Sequence, residues 1–212
     1  MNRPLRYALI DLARGTHSLD LLRELEQIQF LSPEELEAQN CDAAKAYYRT
    51  LHESIGLFRS ATCYADLPII DKTFIREHRN QLMNPAYRGR LIRKKTGGST
   101  GEPLIYYTGT ASQSFLWASL FLAWKVTGWR LGERVAFLAG SALATEGLRN
   151  RIYQRLLNLQ LLSAFDLSIT RLSDYIRALE EGEPRLLYGY ASAIHRLARF
   201  IIDSKLREAA YI

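Results

Sequence analysis

The sequence predicts an α/β protein: a helical N-terminal region, then a hairpin, then βαβ units forming a mainly parallel sheet. Three observations carry this. The last third repeats a short apolar run followed by an amphipathic stretch, the pattern of strands alternating with crossover helices. The first third carries helix start and stop signals. Between them lies a glycine-rich segment bracketed by two β-rich runs.

Residues 1–66 are expected to form the mainly helical region. Ser32 stands at an N-cap, Pro33 at the first helical position and Glu35 at the third, a capping-box arrangement. The run from Cys41 continues as helix and stops near Gly56. Residues 67–212 are expected to form an α/β domain. Leu67-Pro68-Ile69-Ile70 reads as extended, and Asp71 is placed to cap a short helix. Gly89–Lys95 and Pro103–Gly109 read as strands flanking the glycine loop. Phe115–Val126 is apolar on nearly every face, so it reads as a helix buried within the protein. It is too short for a bilayer span of about 20 residues. Thr110 or Ser112 is its expected cap, and Gly128 its end. Three strand–helix units follow: Arg134–Gly140 with Glu146–Leu157, Leu159–Phe165 with Ile169–Gly182, and Pro184–Tyr190 with Ser192–Leu206. Three units make a small parallel sheet, and the chain stops at Ala210-Tyr211-Ile212, so the domain is expected to be one part of a longer enzyme.

With 48% hydrophobic and 24% charged residues, the chain is neither disordered nor fibrous. Its net charge of +6 suits anionic ligands such as nucleotides. The basic run Tyr87–Lys95 matches no nucleic-acid module, and no nucleic-acid partner is expected. Cys41 and Cys63 form no CxxC pair, and His17, His52, His78 and His195 lack metal-ligand spacing. Metal ligands are therefore not expected, and the thiols read as reduced in a cytoplasmic chain. Asp11 and Arg14 interrupt the N-terminal apolar run, so no signal peptide is expected, and no membrane partner.

The loop is the most informative stretch. Gly97, Gly98 and Gly101 let the backbone approach a ligand closely and present successive N–H groups as an anion nest. The hydroxyls of Thr96, Ser99 and Thr100 add donors, and Lys94 and Lys95 raise the local positive potential. Phosphate binding is the chemistry these residues suit. A Walker A loop is excluded, because Glu102-Pro103 follows Gly101 where Lys-Ser or Lys-Thr is required. Gly97-Gly98-Ser99-Thr100-Gly101 also matches the G-x-S-x-G elbow of serine hydrolases, with Asp166, Asp174 and His195 downstream as partners. That elbow needs a helix after the serine, whereas Pro103–Tyr107 is β-like. A hairpin turn without a ligand is the remaining alternative. Tyr106, Tyr107, Trp117, Trp124 and Trp129 would wall an acyl pocket or fill a core, the commoner fate of aromatics at helical spacing.

Thr96-Gly97-Gly98-Ser99-Thr100-Gly101-Glu102-Pro103 resembles the phosphate-binding motif of adenylate-forming, AMP-binding enzymes. The branch it resembles is the phenylacetate–CoA ligase family, with the CapK-type proteins linked to capsular polysaccharide synthesis. Leu67-Pro68-Ile69-Ile70-Asp71-Lys72 is similar to that family's Leu-Pro-x-x-x-Lys segment. Leu187-Tyr188-Gly189-Tyr190-Ala191-Ser192 is similar to its strand ending in Tyr-Pro-Ser, with Ala191 in place of proline. Glu102 stands where many relatives have lysine, and the family's downstream Tyr-Gly-x-Thr-Glu motif has no counterpart here. The resemblance implies the N-terminal part of a ligase that activates a small carboxylate with ATP and Mg²⁺. The acyl group then passes to CoA or another nucleophile. It also implies that Thr96 to Gly101 hold ATP phosphates and that Tyr188, Gly189 and Tyr190 line a candidate acyl pocket. No catalytic residue is assigned. The fragment alone is expected to be inactive, its C-terminal portion being a partner on a separate chain. The alternatives are a non-catalytic interaction module and the serine hydrolase.

Overall fold

A computed structural model describes residues 3–96, 103–140 and 148–204. Among the described residues are eight α-helices and five strands, arranged as α/β, with short 3₁₀ turns at Gly56–Phe58 and Tyr64–Asp66. In chain order they are α1 (Arg3–Arg14), α2 (Ser18–Ile28), α3 (Pro33–Ser54), α4 (Lys72–Glu77), β1 (Leu91–Lys95), β2 (Ile105–Gly109), α5 (Thr110–Val126), β3 (Val135–Ala139), α6 (Leu148–Leu157), β4 (Leu159–Ser163), α7 (Ile169–Gly182), β5 (Leu186–Gly189) and α8 (Ala191–Asp203). β1 and β2 form an antiparallel hairpin, and the other three strands form a parallel sheet in the order β4-β3-β5.

The sheet has helices on both faces because β3 alternates its apolar side chains. Ala136 and Leu138 face Leu172, Tyr175, Ile176 and Leu179 of α7 and Leu197 of α8. Val135 and Phe137 face the opposite cluster, built from Tyr7, Leu22, Phe121, Trp124 and Leu157 of α1, α2, α5 and α6. α1 and α2 therefore share a core with the sheet. The Tyr7 hydroxyl donates to the Leu157 carbonyl at 3.1 Å, and the Lys125 ammonium pairs with Glu26, joining α5 to α2.

Local signals set the helix ends. The Ser32–Glu35 capping box forms with both of its hydrogen bonds. Phe74 N–H donates to Asp71 Oδ1 at 2.7 Å at the start of α4. α3 buries none of its residues and is tied to the following loop by the Tyr48 hydroxyl, which donates to the Ala61 carbonyl.

Two expectations about α5 are corrected. Its N-cap is Gly109, with no side-chain cap; Thr110 is the first helical residue. The helix is also not buried all round. Ala118, Phe121 and Trp124 enter the core, while Phe115, Leu116 and Val126 are exposed, because only one flank of the helix meets α2 and the sheet. Gly128, at φ +88°, closes it as expected. No helix among the described residues is long and apolar enough to cross a membrane.

Candidate functional site

The glycine segment is held at both ends by the hairpin. β1 and β2 pair in register from Leu91↔Gly109 to Lys95↔Ile105. One step further, Thr96 N–H donates to the Leu104 carbonyl at 3.0 Å, and Leu104 N–H donates to Thr96 Oγ1 at 2.9 Å. Thr96 is thus the anchor of the segment: its N–H is committed to Leu104 and its Oγ1 accepts from Leu104, which leaves the hydroxyl hydrogen to donate. Gly97, Gly98, Ser99, Thr100 and Gly101 lie outside the described residues, as does the expectation that no helix starts among them.

Strand alternation sends the basic run of β1 in two directions. Leu91, Arg93 and Lys95 share one face of the hairpin with Tyr107 and Ile105, and Ile92 and Lys94 share the other with Tyr106. Leu91, Ile105 and Tyr107 wall a cleft of about 240 Å³ that Ile75, Met83 and Arg79 complete. Tyr106 also lines it. The sequence placed Tyr106 and Tyr107 in one group with the tryptophans, but the structure separates them. Trp124 and Trp129 are core residues, meeting edge to face, with Trp129 stacked on Phe121 and Trp124 tilted against it.

Tyr188, Gly189 and Tyr190 lie at the carboxyl end of β5. Tyr188 packs edge-on against Trp124 and tilted against Phe137 of β3, at ring distances of 5.6 and 4.9 Å. A Cβ at Gly189 would collide with the Leu138 carbonyl oxygen, so glycine allows β5 to sit beside β3 there. Tyr190 N–H donates to that same carbonyl at 3.1 Å, while the Tyr190 ring is exposed. Next to it stands a pair that sequence reasoning missed. A Cβ at Gly140, just past β3, would lie 2.9 Å from the exposed Phe165 ring and 3.3 Å from the Tyr190 hydroxyl. Gly140, Phe165 and Tyr190 thus meet at the carboxyl ends of three parallel strands, where open α/β sheets receive ligands. No sequence spacing signals this meeting, because strand order creates it.

Ser99 of the hydrolase reading lies outside the described residues, and only its downstream partners are seen. Asp166 accepts from Ser168 N–H and from Arg171, which hold its carboxyl below the usual carboxylate range, and Asp174 also pairs with Arg171. His195 lies exposed on α8. Among the described residues no group of three histidine, cysteine or acidic side chains could hold a metal ion. Cys41 and Cys63 are exposed free thiols.

The chain is similar to Protein CapK of Staphylococcus aureus, 29% identical over 143 residues, covering 66% of this chain and 32% of that protein. It therefore spans about a third of the length of that relative. No family model matches the chain, and no solved structure matches it. The similarity points to a related family.

Proposed function

We propose that this chain is the phosphate-binding part of a carboxylate-activating, adenylate-forming enzyme. The observation that carries the reading is the antiparallel hairpin anchoring a Thr-Gly-Gly-Ser-Thr-Gly segment at Thr96–Leu104, with Arg93, Lys94 and Lys95 on the incoming strand. The similarity to Protein CapK supports it. In this reading, residues Thr96 to Gly101 hold the β- and γ-phosphates of ATP through backbone N–H groups and hydroxyls. A small carboxylate attacks the α-phosphorus, releasing pyrophosphate and leaving acyl-AMP. A thiol such as CoA, or another nucleophile, then takes the acyl group and AMP departs. The described side chains offer no cluster for Mg²⁺, so the metal would travel with the nucleotide phosphates and no step is assigned to it on this chain. The protein's share is positioning and charge stabilisation. Phe165, Tyr188 and Tyr190 would flank the acyl group at the carboxyl ends of the sheet.

The test is calorimetric titration of the chain with ATP and Mg²⁺, alongside a Gly98→Val variant whose side chain blocks close phosphate approach. Binding that Gly98→Val abolishes supports the loop's role; equal binding by both refutes it. Pyrophosphate exchange with aryl and acyl carboxylates is expected only when the portion that CapK has and this chain does not match is supplied. Exchange by the chain alone would refute that division of labour. The reading as an interaction module is favoured by a different observation, the exposed apolar flank of α5 at Phe115, Leu116 and Val126.

A further inference from the structure

Two patches of unlike shape border α4. Ahead of the helix, Leu67 to Ile70 belong to no helix or strand. Leu67 stands at φ −65°, ψ 132°, in the polyproline II region. Ile69 is fully exposed and Ile70 is 42% exposed. The N–H groups of Ile69 and Ile70 have no hydrogen-bond partner among the described residues. An extended run with bare apolar side chains and spare backbone groups has the form in which a peptide docks on another surface.

Beyond the helix lies the cleft of about 240 Å³ between Ile75, Arg79 and the hairpin. Met83, Tyr87, Leu91, Tyr106 and Tyr107 line it, and each remains 37–41% exposed. Large apolar side chains left half-bare in one place mark an interaction site. One wall is fixed in advance: the Tyr87 hydroxyl accepts from Thr110 N–H at 3.2 Å, and its ring lies where a Cβ at Gly89 or Gly109 would stand. Asn84, also on the wall, accepts from Ala86 N–H through its amide oxygen, which leaves its NH₂ group to donate. Among the described residues Arg79 is the only charged one lining the cleft, and it has no ion pair.

We propose that the occupant of this cleft is a second copy of the chain, each copy seating its Leu67–Ile70 run in the cleft of the other about a two-fold axis. The cleft has the volume of about eight waters, which suits two aliphatic side chains such as Ile69 and Ile70 rather than a helix. The charges match as well. Asp71 ends the run and is exposed, and only its Oδ1 is bonded among the described residues, to Phe74 N–H. As the run seats, that carboxylate approaches the partner's Arg79, the one cation on the cleft wall. α4 has six residues, about 9 Å of helix, so one axis beside it forms both contacts together, as an isologous interface requires. A second copy covers both patches, whereas a small ligand in the cleft leaves Ile69 bare. The contact uses neither the Gly98 loop nor Tyr190, so it is independent of the nucleotide reading.

Sedimentation equilibrium of the full chain across a concentration series is expected to show a monomer–dimer equilibrium. Ile69→Asp, at a position bare enough to leave folding alone, should weaken it about tenfold or more, and Arg79→Glu likewise. Asp71→Ser keeps an N-cap oxygen for α4 but removes the charge, and its expected loss is several-fold. Ile69→Asp and Arg79→Glu chains, mixed, should associate more tightly than either alone, because one intact run then meets one intact cleft. A fluorescein-labelled peptide of residues 65–73 should bind the Ile69→Asp chain and bind an Ile69→Asp, Arg79→Glu chain about tenfold more weakly. A monomer at every concentration overturns the proposal. So does a dimer that Ile69→Asp leaves intact, a mixture no tighter than its parts, growth beyond two copies, or a peptide whose binding ignores Arg79→Glu.

Discussion

The Tyr7 hydroxyl reaches the Leu157 carbonyl across 150 positions of sequence, joining the first helix to the end of α6 at 3.1 Å. Tyr7→Phe keeps the ring contact with Phe121 and removes the donor, so an equilibrium urea titration should show a loss of about 1 kcal/mol. An unchanged midpoint would mean that the bond contributes nothing net.

The same residue predicts alkaline behaviour. Burial pushes the Tyr7 phenol up to about 12, against roughly 10 in the unfolded chain. Between those values the unfolded chain has released a proton that the folded one keeps. The stabilisation is therefore complete below about pH 10 and falls as pH rises towards 12. Tyr7→Phe should flatten this decline without erasing it, because burial also raises Tyr153. Chemical denaturation across that range, wild type against variant, checks the slope.

Asp11 is the polar node between α1 and α2. Asp11→Ala would strand the Thr16 and Ser18 hydroxyls, both on buried residues, and the Leu19 amide. The expected cost is about 2–3 kcal/mol, with Asp11→Asn falling between it and wild type. Equal losses for the two variants would place the effect in packing instead.

Gly189→Ala should be far more damaging than Gly56→Ala. The first forces a methyl against the Leu138 carbonyl oxygen, whereas a Cβ at Gly56 meets nothing within 4 Å. A loss of about 1–3 kcal/mol is expected at Gly189 by thermal melting, and almost none at Gly56.

Thr96→Val removes the acceptor of Leu104 N–H but keeps the backbone bond to Leu104. Melting should barely move, while affinity for ATP with Mg²⁺ should fall several-fold. Thr96→Ser should retain it. If serine and valine behave alike, the hydroxyl does not shape the loop.

The parts of the fold that were legible in the sequence are those governed by local chemistry. The Ile169–Gly182 helix is found at its expected bounds because its apolar residues recur with helical period and Leu172, Ile176 and Leu179 are buried on one stripe. The Ser32–Glu35 box and the Asp71 cap form for the same local reason. α5 defeated this reasoning. A segment apolar on every side carries no record of which side meets the core, and Phe115 and Phe121 look equivalent until α2 and the sheet pack against one of them. The candidate site divides along the same line. Thr96 is readable as part of a glycine-rich motif, but its tie to Leu104 depends on hairpin register. The opposed directions of Lys94 and Lys95 depend on strand alternation combined with what packs on each side. Phe165 and Gly140 meet only because β3 and β4 lie side by side.

β4 and β5 each hydrogen-bond to one neighbour only among the described residues, with β3 between them. Their outer backbones, five residues long on β4 and four on β5, are unfinished seams. Either seam can accept another strand, from a longer polypeptide or from a neighbouring molecule, without disturbing β3. The architecture can grow at its flanks around a finished centre, and crowding favours such joining while dilution opposes it.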